Sequence, residues 1–199
     1  MNFLAHFHLA WPDEGLIVGG LEGEFYKGPL AGDLPTGLAR GIQLHRAIDA
    51  YTDGHEAMLT LRQQLPQTLR RFAGIVIDLA FDHYLSMHWQ RFSNTPLTEF
   101  NHTVYATLQQ HRSHLSPPAQ QMLARLLEHD ILGIYHHWHT VTATAERIGR
   151  RFDRGNPLTG LDRTLTPYRE TLEQSFLKFY PELQSFAGIR IRAMADDDI

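Results

Sequence analysis

Along most of the chain, apolar positions recur at spacings of three and four, the pattern of helices that each bury one face. Over residues 38–65, Ile42, Ala47 and Ile48 form an apolar side and Pro66 marks a stop, which predicts a helix. A second helix is predicted over 68–90, and a third over 98–114 with Phe100, Val104 and Leu108 on one side. The next, 115–131, opens on Ser116-Pro117-Pro118, an N-cap followed by proline in the first turn, and carries Leu123, Leu126 and Leu127. Segments 133–153 and 160–187 complete the series. The latter has Leu165, Tyr168, Leu172, Phe176, Phe179 and Tyr180 at helical spacings and a break at Pro181. Two N-terminal stretches are less regular. Residues 2–10, NFLAHFHLA, are apolar except at His6 and His8, and periodicity does not separate helix from strand there. As a strand the two histidines share a face; as a helix they diverge by about 200°. Residues 15–37, rich in Gly and Pro, read as a broken helix followed by a loop. The pattern predicts an all-α fold, a compact single-domain bundle of about seven helices over residues 1–187, with a mobile C-terminal tail over 188–199.

Polar residues that interrupt this pattern carry the chemistry. In residues 75–89, IVIDLAFDHYLSMHW, the carboxylates Asp78 and Asp82 lie four apart in an otherwise apolar helix, with His83 and His88 beside them. A buried carboxylate needs hydrogen-bond donors, a counter-charge or a metal. The preceding helix carries His45, Asp49 and Asp53 at i, i+4 and i+8, one stripe of one face. Two helices that each present acid and imidazole are the means by which a helical bundle builds a metal site. Glu24, next to Phe25 and Tyr26 in a glycine-spaced stretch, and the N-terminal His6 and His8 are further candidates. The cluster of His136, His137 and His139 around Trp138 is spaced poorly for one helical face and reads as a packed or lining segment.

Composition narrows the choice. The chain has 199 residues, 43% apolar and 20% charged, and no apolar run long enough to span a bilayer. The N-terminus lacks a cationic region ahead of its apolar stretch, so cytoplasmic residence is the expectation. A net charge of −4 argues against a general nucleic-acid binder. The absence of cysteine removes thiolate zinc sites, iron–sulfur clusters and thiol nucleophiles together. Ligation by carboxylate and imidazole alone suits manganese, magnesium or iron. Such an ion supports phosphoester hydrolysis, whereas a di-iron oxygenase would need paired Glu-x-x-His motifs that this chain lacks. Neither the dinucleotide fingerprint nor the phosphate-binding loop is present among the glycines. Arg147, Arg150, Arg151 and Arg154, with Arg70 and Arg71, form a basic group that would dock an acidic partner or a phosphate.

Four ordered segments, NFLAHFHLA, IQLHRAIDAYTD, DLAFDHYLSMHW and FLKFYP, resemble the acyl carrier protein phosphodiesterase family across residues 1–187. The resemblance implies a distant relation to the HD metal-dependent phosphohydrolases. It also implies manganese- or magnesium-assisted cleavage of the phosphodiester between 4′-phosphopantetheine and a serine of holo acyl carrier protein. The acidic helices of such a carrier would account for the arginine group. His45 and Asp49 match the family's HxxxD element, Asp82 and His83 its Asp-His pair, and His6 and His8 its N-terminal AHxHLA element. Where the family has aspartate in an Ala-Asp-Phe setting, this chain has Gly-Glu-Phe with Glu24, which keeps the charge and lengthens its reach by one methylene.

The expected site therefore has Asp49, Asp82, His45, His83 and Glu24 around the ion, with His6, His8 and Asp53 as additional candidates. Glu24 or Asp78 would orient water or act as base, and His45 or His83 would stabilise phosphoryl charge. Two other readings remain open at this level. One is an HD-like phosphohydrolase of a nucleotide or another small phosphoester, and the other a non-catalytic helical protein that binds acyl carrier protein.

Overall fold

The ambiguous N-terminal stretch folds as a helix, α1 (Phe3–Ala10), and this helix is the buried centre of the molecule, with every residue from Leu4 to Ala10 shielded from solvent. In the computed structural model, which describes residues 2–152 and 156–196, α1 packs against α2 (Glu14–Gly23), α3 (Thr36–Gly54), α5 (Ala73–Met87) and α11 (Arg169–Asp196). The remaining elements are α4 (Glu56–Gln64), α6 (Leu97–Gln110), α7 (Pro117–Glu128), α8 (Ile131–Ile134), α9 (Trp138–Gly149) and α10 (Leu161–Leu165), with short 3-10 turns between some of them. The fold is all-α, as the periodicity predicts. No helix among the described residues is long and apolar enough to cross a membrane.

A helix with no polar face has nowhere to leave its free N-terminal N–H groups in water. Asp82 of α5 meets that need in α1: its carboxylate accepts from the N–H of Leu4 at 2.8 Å and of Ala5 at 3.1 Å. Phe7, Phe81, Phe100, Phe176, Phe179 and Tyr180 fill the surrounding core.

The glycine-rich stretch holds more order than its composition implies. It forms α2, capped by Asp13, whose side chain accepts from the N–H of Leu16. Gly15, Gly19 and Gly23 fall one turn apart on α2, and Gly37, Gly41 and His45 do the same on α3. The two ridges meet face to face. A Cβ on Gly19 would lie 2.5 Å from Gly41 Cα, and one on Gly23 would lie 2.6 Å from Cγ of His45. Only hydrogen at these places lets the backbones approach so closely.

Three predicted boundaries move. The helix expected over 38–65 divides at Gly54 and His55, where the His55 ring accepts from the N–H of Ala57 and starts α4. The segment expected as one helix over 133–153 divides into α8 and α9. Pro181 does not end the last helix: α11 runs through it to Asp196, so residues 188–196 continue a helix where a tail was expected. Its apolar stripe continues past the proline through Leu183, Ala187 and Met194, and this packing outweighs a local cost of about 3 kcal/mol.

Candidate active site

His6, His45 and Asp49 come together where α1 crosses α3. His45 and Asp49 are successive turns of α3, and the α2 glycine ridge lets α3 sink until the His45 ring lies against Gly23. The imidazoles of His6 and His45 stack with centroids 4.0 Å apart and planes inclined by 18°. Both turn Nε2 toward the same carboxylate. His6 Nε2 is 3.1 Å from Asp49 Oδ1, and His45 Nε2 is 3.2 Å from Asp49 Oδ2. Neither Nδ1 has a hydrogen-bond partner among the described residues, so stacking and burial orient the rings.

The electrostatics prepare His6 and Asp49 as ligands for a cation. Burial, and after it the neighbouring His45, lowers His6 to about 4, against the opposing pull of Asp49; the ring is neutral at pH 7. Burial would raise the Asp49 carboxyl, but hydrogen bonds from His45 and His6 outweigh it and hold the group well below the usual carboxylate range. A divalent cation fits this set: one ligand atom from each residue converges within 4.8 Å, and an ion would take the place of the two Nε2 protons. Among the described residues no other cluster of three such side chains meets that spacing.

Glu24 stands beside the cluster. It follows the last residue of α2, and its Oε2 is 3.9 Å from His45 Nε2. A cleft of about 340 Å³ opens over these residues, lined by Glu24, Tyr26, Lys27, His45, Arg46 and Asp49. Lys27 donates to the carbonyl of Glu24 at 2.9 Å. Arg46 donates to the carbonyls of Tyr26 and Gly28 and covers the Tyr26 ring, which ties this wall of the cleft to α3. A second, larger groove of about 620 Å³ adjoins the cleft and shares Glu24 with it.

The other expected site residues lie elsewhere. Both oxygens of the fully buried Asp82 are engaged by the first turn of α1. Burial raises this carboxyl to about 7, against the lowering effect of the two N–H bonds. The structure gives Asp82 the role of holding α1, and hence His6, rather than a place in the cluster. His83 points the other way: its Nδ1–H donates to the Tyr135 carbonyl at 2.8 Å, its ring meets the edge of Trp138, and burial lowers its pKa. His8 is also outside. It bonds Tyr180 Oη at 2.7 Å beside Trp89, and burial lowers it to about 4. The divergence of His6 and His8 is the one a helix imposes. Asp53 pairs with Arg62 on the surface, and Asp78 is half-buried on α5, outside the three-residue cluster.

The arginines differ in their contacts, although Phe72 and Phe152, which follow Arg71 and Arg151, pack ring to ring at 5.4 Å. Arg147 and Arg151 line the larger groove, Arg150 is exposed outside its lining, Arg70 bonds the Gln63 carbonyl, and Arg71 covers Phe72. Arg154 lies outside the described residues. Of the histidine triplet, His139 lines the groove. Lys27, Arg46 and Arg125 were missed at the level of sequence. The position of Lys27 three residues after Glu24 was a usable signal, whereas Arg125 on the scaffold helix α7 offered none.

The chain matches the family model described as acyl carrier protein phosphodiesterase over residues 1–183. It is 33% identical over 191 residues to the acyl carrier protein phosphodiesterase of Klebsiella pneumoniae strain 342, covering 94% of this chain and 97% of that one. The protein of the same name from Escherichia coli O127:H6 is 33% identical over 192 residues, covering 94% and 98%. That from Photorhabdus laumondii is 28% identical over 188 residues, covering 94% and 95%. No solved structure matches the chain.

Proposed function

We propose, from the premise that the chain belongs to the acyl carrier protein phosphodiesterase family, that it hydrolyses the phosphodiester between 4′-phosphopantetheine and serine in holo acyl carrier protein. The products are the apo carrier and free 4′-phosphopantetheine. The observation that carries the reading is the convergence of two Nε2 atoms and an ionised carboxylate, two of whose three residues, His45 and Asp49, line an open cleft. His6, His45 and Asp49 would hold a divalent cation, manganese in preference to magnesium or iron, which supplies Lewis acidity toward a phosphoryl oxygen and lowers the pKa of water.

The residues of the chain divide the remaining work. Glu24 is exposed and reaches the mouth of the cluster, where its carboxylate accepts a proton from the attacking water as the water oxygen bonds to phosphorus. The bond from phosphorus to the serine oxygen breaks, and that proton returns to the serine. Lys27 brings positive charge to the same cleft, available to the phosphoryl oxygens. Asp82 keeps α1 in register so that His6 Nε2 meets Asp49. Holo acyl carrier protein incubated with the purified enzyme and manganese should lose the mass of its prosthetic group. A chelator should stop the loss and added manganese should restore it. Persistence of the full holo mass with active-fold protein and manganese would sink the assignment.

A further inference from the structure

The larger groove meets the cleft at Glu24, which among the described residues is the one side chain that lines both. Its floor is apolar, with Phe3 from α1, Leu79 from α5, Met122 from α7 and Ile134 from α8. Along its sides stand Arg125, Arg147 and Arg151, and none of the three forms an ion pair with a carboxylate among the described residues. Its volume, about 620 Å³, lies within the range of sites that enclose a small-molecule-sized ligand. We propose that this groove binds the pantetheine arm of the carrier, laid from the cleft along the apolar floor toward its thiol end.

The inference rests on the phosphodiesterase reading and adds a location and a set of contacts to it. If the scissile phosphorus sits over His45 and Asp49, the arm must leave the cleft from the phosphate end, and the groove is the concavity that opens at that point. The arm is a flexible, uncharged chain with methyl groups, methylenes and two amides. Its hydrocarbon matches the floor, and its amide carbonyls match the guanidinium donors of Arg125, Arg147 and Arg151. The same arginines give the groove a positive rim for the acidic carrier that delivers the arm.

The test uses the full chain and two readouts: calorimetric binding of free 4′-phosphopantetheine, and steady-state release of the arm from holo carrier. Ala143 is an exposed α9 residue on the groove wall, so Ala143→Trp narrows the groove from a position that tolerates a large side chain. It should weaken binding of the free arm and raise KM for holo carrier by tenfold or more, while the thermal midpoint stays unchanged. The double substitution Arg147→Gln with Arg151→Gln should act in the same direction, and it decides the matter if Ala143→Trp does not fold. Binding and KM unchanged in folded variants would overturn the groove assignment alone. Apo carrier, which lacks the arm, competing as well as holo carrier in wild type but not in Ala143→Trp would also overturn it, by placing a protein surface in the groove. Wild type that binds the free arm yet releases none from holo carrier would overturn the hydrolytic reading and leave the groove standing.

Discussion

Asp49 is half-exposed, yet two buried imidazoles share its oxygens, and their hydrogen bonds hold its carboxyl well below the usual carboxylate range, while burial lowers His6. Protonation is therefore coupled to stability, with a sign that can be worked out residue by residue. His8, lowered from 6.5 to about 4 by burial, is protonated in the unfolded chain but not the folded one between those values. It contributes stability that is present above pH 6.5 and lost as pH falls toward 4. Asp82, raised from 3.8 to about 7, acts oppositely: the folded chain holds the extra proton, and the contribution is lost as pH rises through that window. In chelator-treated protein, the thermal midpoint of His8→Asn should thus vary less with pH between 4 and 6.5 than that of wild type, while Asp82→Asn should make the acid-side fall steeper. Equal slopes in all three proteins would contradict the shifts.

At the scale of elements, two devices bring α1, α2 and α3 together, the Asp82 cap and the glycine ridge. Asp82→Ala would leave the N–H groups of Leu4 and Ala5 buried and unpaired, at about 1–3 kcal/mol each. Denaturant unfolding should show that loss, and activity should fall with it through the displacement of His6. Positions along the ridge differ in what a methyl would meet. A methyl at Gly19 meets backbone atoms of Leu38 and Gly41, which have nowhere to go, so Gly19→Ala should cost about 1–3 kcal/mol, the usual range for overpacking. A methyl at Gly23 meets Cβ and Cγ of His45, so Gly23→Ala should add a displacement of His45 to the overpacking, and turnover should drop tenfold or more, further than in Gly19→Ala. Similar losses of turnover in both variants would argue against this difference.

Both devices also mark the limit of what the pattern of residues discloses. A carboxylate inside an apolar helix demands a partner, but a helix N-terminus and a metal ion satisfy the same demand, so Asp82 read as a ligand. Glycines at four-residue spacing looked like a break because propensity disfavours them, and the close approach that explains them depends on a second helix. His45 and Asp49 were legible because both lie on one strongly periodic helix. His6 was visible only as one of two alternatives, since a face of α1 cannot be chosen until its partners are known.

For the whole molecule, the fold places a buried helix bearing His6 over a surface-reaching helix bearing His45 and Asp49, and opens a cleft and a groove on either side of Glu24. The all-α class and the family were readable from the chain, because helical periodicity and ordered motifs are local. The groove was not, since its walls come from α1, α5, α7, α8 and α9. The division between cluster and scaffold is tested most directly by the intact mass of holo acyl carrier protein after incubation with manganese and wild type, His6→Ala, Asp49→Ala or His83→Asn. Wild type and His83→Asn should convert holo to apo carrier at rates within a few-fold of each other, while His6→Ala and Asp49→Ala fall by two orders of magnitude or more. Conversion by His6→Ala and Asp49→Ala at the wild-type rate, with loss in His83→Asn, would contradict the assignment.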